Sequence, residues 1–189
     1  MINISKMSKY YGEYPAVIDV SFNISKGESI GLLGPNGAGK STTMKVMTGY
    51  TPPTSGNVNI GGYDIIKNSI DARKLIGYLP ESVPLYTDMT VKEYLSYMGS
   101  LRGMGKNILN RVDEVIDLTS LNQYKNVLIS KLSKGYRQRT GIAQAILHKP
   151  KILILDEPTI GIDPVQVVET RKLIQNLGEE HTLILSSHI

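Results

Sequence analysis

Cysteine is absent from the 189 residues, so no disulfide framework holds this fold; a cytoplasmic setting fits that absence without requiring it. No apolar run approaches the roughly eighteen residues of a membrane span. The N-terminus, "MINISKMSKYYG", lacks the apolar centre of a signal peptide, so the chain reads as soluble and as staying on the side where it is made. Internal repeats and low-complexity tracts are missing too. One-sided charge is also scarce: 21 Lys and Arg against 17 Asp and Glu leave a net +4. That excess is too small to specify a nucleic-acid or lipid partner, because a phosphate site produces a similar one.

What is present is a chain long enough for one sizeable core. "INIS", "VIDVSFNI" and "NVNIGG" alternate apolar and polar residues in the first sixty positions, as half-buried antiparallel strands do. "SIGLLG" at 29–34 is a continuous apolar run, the pattern of a strand buried on both faces. Lys40 to Thr48 reads as a helix closed by Gly49, and 51–56 as a loop. "LIGYL" at 75–79 is a further short strand. Helical patterns then occupy about 90–102, 107–118 and 134–148, the first opened by a capping box in "TVKE". "KILILD" at 151–156 returns to buried strand, 163–178 to helix, and "TLILSS" at 182–187 to strand. Strands alternating with helices predict an α/β fold with a mainly parallel sheet covered on both faces. The helix-rich middle reads as a subdomain inserted between strands of that sheet.

Two constellations carry chemistry. "GPNGAGKST" at 34–42 fits the phosphate-loop pattern, with Gly34, Gly39, Lys40 and Ser41 at its fixed positions and Asn36, Gly37, Ala38 and Thr42 completing the segment expected to bind nucleotide. Gly37 and Gly39 let backbone N–H groups wrap phosphates, and the next helix offers them its positive end. Lys40 reaches the β- and γ-phosphates while the Ser41 hydroxyl ligates Mg²⁺. "ILILDEP" at 152–158 supplies acids at the carboxyl end of a strand, where ligands of parallel sheets sit. Asp156 is the expected Mg²⁺ partner, and Glu157 the base or orienter of an attacking water.

"LSKGY" at 132–136 is a polar Ser-x-Gly helix start just upstream of the acids, and it resembles the Leu-Ser-Gly-Gly-Gln signature of ATP-binding-cassette (ABC) ATPases. The resemblance runs in order along essentially the whole chain. Tyr11 in "KYYGEY" resembles the aromatic that stacks on adenine, its alternative being a tyrosine that packs a strand. "GYLPE" at 77–81 resembles the loop joining core to helical subdomain, "GID" at 161–163 the loop after the acidic strand, and His188 the switch histidine, whose alternative is a polar surface residue. The likeness implies a P-loop ABC-type core at 1–80 and 150–189, an N-terminal antiparallel β subdomain and a helical subdomain at about 88–148. It implies catalysis by Glu157 and His188, and a head-to-tail dimer in which Ser133 and Gly135 meet ATP held by the partner's Lys40. Lys134 and Tyr136 depart from the motif. Glu81 stands where many relatives carry Gln; as a carboxylate it can join Ser41 and Asp156 at Mg²⁺, or remain a solvated loop acid. Relatives continue past the histidine, which implies that a C-terminal part of the usual domain is missing here.

The resemblance further implies an ATPase subunit at the cytoplasmic face of the membrane, paired with a second ATPase subunit and a permease on a separate chain, with exporters the nearer likeness. The rival is a soluble ABC ATPase working on nucleic acid or the ribosome. Against it, no heptad run lies between Lys40 and Asp156 and only one cassette is present, so no nucleic-acid partner is expected. A GTPase reading lacks an Asn-Lys-x-Asp motif, and neither it nor a kinase explains "LSKGY".

Overall fold

A computed structural model describes residues 1–187. His188 lies outside the described residues. Two four-stranded sheets organise the chain. The first is antiparallel and comes from the N-terminal third, in the order β2-β1-β4-β5: β1 is Ile2–Tyr11, β2 Tyr14–Ile24, β4 Ser55–Ile60 and β5 Tyr63–Asp64. The second is parallel, in the order β3-β8-β7-β6, with β3 Ser29–Leu33, β6 Ile76–Leu79, β7 Ile152–Leu155 and β8 Thr182–Ser187.

Alternation along β7 explains how the parallel sheet is covered. Ile152 and Ile154 face a core built from the N-terminal sheet and helix α1 (Lys40–Met47). Leu153 and Leu155 face the opposite core, formed with α3 (Val91–Leu101), α4 (Ile108–Leu118), α5 (Lys134–Ile146) and α6 (Pro164–Glu180). A strand with an apolar layer on each face must be apolar throughout, which is what "ILIL" records.

β3 departs from that expectation. Its side chains alternate between exposed and half-buried, and Leu33 is 72% exposed. The strand stands at the edge of the described sheet, with β8 its only partner there. Ile30 and Leu32 pack toward the N-terminal sheet, while Ser29 and Leu33 on the other face line an open cavity together with Ile174 and Gly178 of α6. An apolar run therefore marks a strand of this sheet without saying that both its faces are filled. Sequence periodicity also passes over α2 (Ser69–Lys74) and the two-residue β5, which are too short to show a period.

Local signals set the helix boundaries. Thr90 caps α3 by accepting from the Glu93 N–H while the Glu93 carboxylate accepts from the Thr90 N–H at 2.8 Å. Asp163 caps α6, with Pro164 at its first position. Gly49, at φ 68°, ends α1.

Candidate functional site

The phosphate loop joins β3 to α1, so the loop opens at the carboxyl end of a parallel strand. Gly37 and Gly39 both sit at φ 84°, a conformation that costs glycine nothing. Gly39 has a second constraint: a Cβ there would lie 2.7 Å from the Ala16 carbonyl oxygen on β2. The first turn of α1 carries no acidic residue and no side-chain cap, so its N–H groups remain available to an anion.

Lys40 reaches across this loop. Its ammonium donates to the carbonyl oxygens of Gly34 at 2.6 Å and Pro35 at 3.2 Å, and lies 3.8 Å from Glu157 Oε1. Both side chains of that ion pair are about nine-tenths buried. The Ser41 hydroxyl donates to Asp156 Oδ1 at 3.1 Å. Residues from β3's end, α1 and β7's end thus converge as the spacing in the sequence leads one to expect.

One residue here escaped sequence reasoning. Ser186, fully buried near the end of β8, donates to Asp156 Oδ1 at 2.6 Å and accepts from the Glu157 backbone N–H at 2.8 Å. A single hydroxyl therefore sets the positions of both acids. A polar residue at the carboxyl end of an apolar parallel strand was the available signal. Glu157 itself has φ 47°, a left-handed conformation that costs a non-glycine residue about 1–2 kcal/mol. This turn sends the chain away from β7 and leaves the Glu157 carboxylate beside Lys40.

The remaining residues predicted from the sequence fall in three places. Glu81 is exposed and lines a cavity of about 510 Å³ together with Ser41, Tyr78 and Asp156. Tyr11 ends β1 opposite Tyr14, with its ring half exposed and the Lys9 ammonium 5.3 Å from the ring centroid. That hairpin also carries Ala16, the residue touching Gly39, so Tyr11 sits at the phosphate-loop end of the N-terminal sheet. Ser133 caps α5 and is exposed, its hydroxyl accepting from the Tyr136 N–H at 3.4 Å. Gly135 is buried, and a Cβ there would run into the Gln166 carboxamide on α6. The Gln166 carboxamide, at the end of a flexible side chain, must therefore shift before any larger residue can sit at 135.

The two departures from the signature motif also have local partners. The Tyr136 ring lies 4.0 Å from that of Tyr124 and 5.5 Å from the Arg139 guanidinium. The Lys134 side chain lies over Gly161, at φ 65° in the loop after the acids. Burial, then the charge of Asp156, raises the Tyr78 phenol well above the ordinary tyrosine range.

Residues 17–160 match the family model described as "ABC transporter". The chain belongs to the ABC transporter family. Among ABC transporter proteins it is 39% identical to the bacitracin transport ATP-binding protein BcrA of Bacillus licheniformis and 40% identical to the linearmycin resistance ATP-binding protein LnrL of Bacillus subtilis (strain 168). Both alignments cover all of this chain but only 62% and 61% of those proteins, so the chain spans about three-fifths of their length. In three dimensions it resembles an ATP-binding subunit of an ABC transporter, with a TM-score of 0.87 at 29% identity over 100% of this chain and 80% of that one. It also resembles the ATP-binding cassette MJ0796, solved as a dimer in a post-hydrolysis state with ADP and Pi, at a TM-score of 0.89 and 25% identity over 100% and 88%. These matches bear out the ABC-type α/β fold, with its antiparallel N-terminal sheet, parallel core sheet and helical insert.

Proposed function

We propose that this chain is the ATP-binding and hydrolysing subunit that powers a membrane transporter, and that it works as an ATP-driven dimer. The observation that carries the reading is the convergence of an uncapped α1 N-terminus, Lys40, Ser41, Asp156 and Glu157 on one side of the parallel sheet. ATP phosphates fit the loop 34–42, with Tyr11 available to stack on adenine. Lys40 gives up its hydrogen bonds to the Gly34 and Pro35 carbonyls and donates to phosphate oxygens instead.

The donor set suits Mg²⁺. One hydroxyl and one buried carboxylate stand together, Glu81 lines the same cavity, and the described residues contain no cluster of three or more His, Cys, Asp or Glu. Mg²⁺ is ordinarily held by one or two carboxylates plus water and phosphate, not by an all-protein cage. Ser41 and Asp156 would hold it, with Glu81 at the cavity wall; when bound it neutralises charge on the phosphates. Glu157 orients the attacking water and accepts its proton. Ser186 keeps Asp156 and Glu157 in register, and His188 is the further group assigned to the γ-phosphate.

Ser133 and Gly135 serve the nucleotide of a second subunit, presenting the α5 N-terminus to its γ-phosphate. The loop 81–90 and the helices after it form the face for a permease on a separate chain, which places the subunit at the cytoplasmic face of the membrane. Likeness to proteins named for bacitracin transport and linearmycin resistance supports export.

The test is affinity capture of the tagged intact protein from detergent-solubilised membranes of its source. A co-purifying permease, with ATP hydrolysis by the complex, is the expected result. Capture of a ribosomal or DNA-bound partner instead would replace the transporter reading with that of a soluble ABC ATPase.

A further inference from the structure

Tyr78, one of the residues lining the cavity beside Ser41 and Asp156, carries a polar group with no assigned task. Tyr78 on β6 pairs with Ile154 on β7, and Asp156 follows two residues later, its N–H donating to the Leu79 carbonyl at 2.8 Å. The Tyr78 ring packs against the core shared by α1 and the N-terminal sheet. Its hydroxyl is shielded from solvent and has no hydrogen-bond partner among the described residues. Buried hydroxyls rarely remain unpaired, and one that does calls for a missing water, ion or ligand.

The acceptor side is open as well. The hydroxyls of Ser41 and Ser186 both donate to Asp156 Oδ1, and Oδ2 accepts no hydrogen bond among the described residues. Tyr78, whose hydroxyl lacks an acceptor, and Asp156, whose Oδ2 lacks a donor, thus line one cavity together with Glu81.

We propose that Tyr78 is a positioning residue of the metal site, its hydroxyl donating to a metal-bound water that is shared with Asp156. The inference rests on the Mg²⁺–ATP reading above and assigns to that site a residue outside the phosphate loop, the acidic pair and the signature. Groups that hydrogen-bond to metal ligands orient them, and their removal typically weakens metal binding ten- to a hundredfold. Tyr78 touches neither the phosphates nor the attacking water; it acts through the shell around the cation.

Tyr78→Phe removes the hydroxyl alone. Mn²⁺ binding, followed by electron paramagnetic resonance in the presence of a non-hydrolysable ATP analogue, should weaken about tenfold in this variant. Analogue affinity measured in EDTA and the melting temperature should match the parent, because the hydroxyl bonds neither nucleotide nor fold. Unchanged Mn²⁺ affinity would overturn the proposal while leaving the metal–nucleotide reading intact. A parent protein in which Mn²⁺ and the analogue do not enhance each other's binding would sink that reading, and this inference with it. Failure of the variant to fold would show that the hydroxyl has a structural partner, and would also overturn the proposal.

Discussion

Glu157 holds an unfavourable backbone conformation at the end of a buried strand, and its surroundings show what maintains it. The Ser186 hydroxyl accepts from its N–H, and the Lys40 ammonium lies 3.8 Å from its carboxylate. Strain of this kind persists only where neighbours over-determine it. Replacing Ser186 by Ala leaves the buried Glu157 N–H without that acceptor and takes one donor from Asp156. Stability should fall by about 1–3 kcal/mol, read as the shift in a urea midpoint at constant slope, and ATP turnover should fall with it. If turnover holds while stability drops, Ser186 is a fold residue only. Glu157→Gln keeps the shape but cannot take a proton from water. It should bind ATP, hydrolyse it slowly and accumulate as a dimer on a sizing column; turnover at the parent rate would remove Glu157 from the base role.

Among the elements, the junction between the end of α5 and the start of the parallel sheet carries a pH-dependent contact. His148 follows α5, and its Nε2 lies 3.0 Å from the Ile76 carbonyl on β6, which makes Nε2 the protonated nitrogen of the neutral ring. Burial, followed by the charge of Arg102, lowers its pKa from 6.5 to about 4. Between those two values the unfolded chain takes up a proton that the folded chain refuses. Stability contributed by the neutral ring is therefore complete above about pH 6.5 and is lost as pH falls toward about 4. His148→Gln should flatten the dependence of melting temperature on pH within that window, as followed by circular dichroism. An unchanged slope would place the acid sensitivity elsewhere. At the start of α3 the capping box makes a simpler case: Thr90→Ala should cost about 1 kcal/mol, measurable as a lower melting temperature.

At the scale of the whole molecule, the question is whose nucleotide the signature segment serves. Ser133 caps its own helix and stays exposed, which leaves it free to meet a second subunit. Ser133→Arg fills that contact with bulk, and Glu157→Gln disables the base; either homodimer should be nearly inactive. A mixed dimer rebuilds one whole site, because the Ser133→Arg subunit supplies a good Glu157 and its partner a good Ser133. With random pairing in a two-fold dimer and independent sites, mixing should restore about a quarter of the parent activity. Cooperativity would lower the figure. No gain at all, with subunit exchange demonstrated by differential tags, would mean that the motif does not act across an interface.

Local chemistry made much of this protein legible from its sequence. The phosphate loop, the acids of "ILILDEP" and the capping box at Thr90 each depend on residues within about ten positions of one another, so spacing alone reports them. Periodicity located the long helices for the same reason. Tertiary structure decided what depends on contacts between distant segments. Ser186 became the hinge of the acidic pair only when β8 was laid beside β7, since hydrogen bonds across a parallel sheet leave no trace in spacing. Gly135 lies against the side chain of Gln166, thirty-one positions away, and Lys134 and Tyr136 find their partners in Gly161 and Tyr124. The continuous apolar run of β3 could not reveal that the strand stands at the edge of the described sheet, because burial depends on what packs above a strand and hydropathy records only what the strand can tolerate.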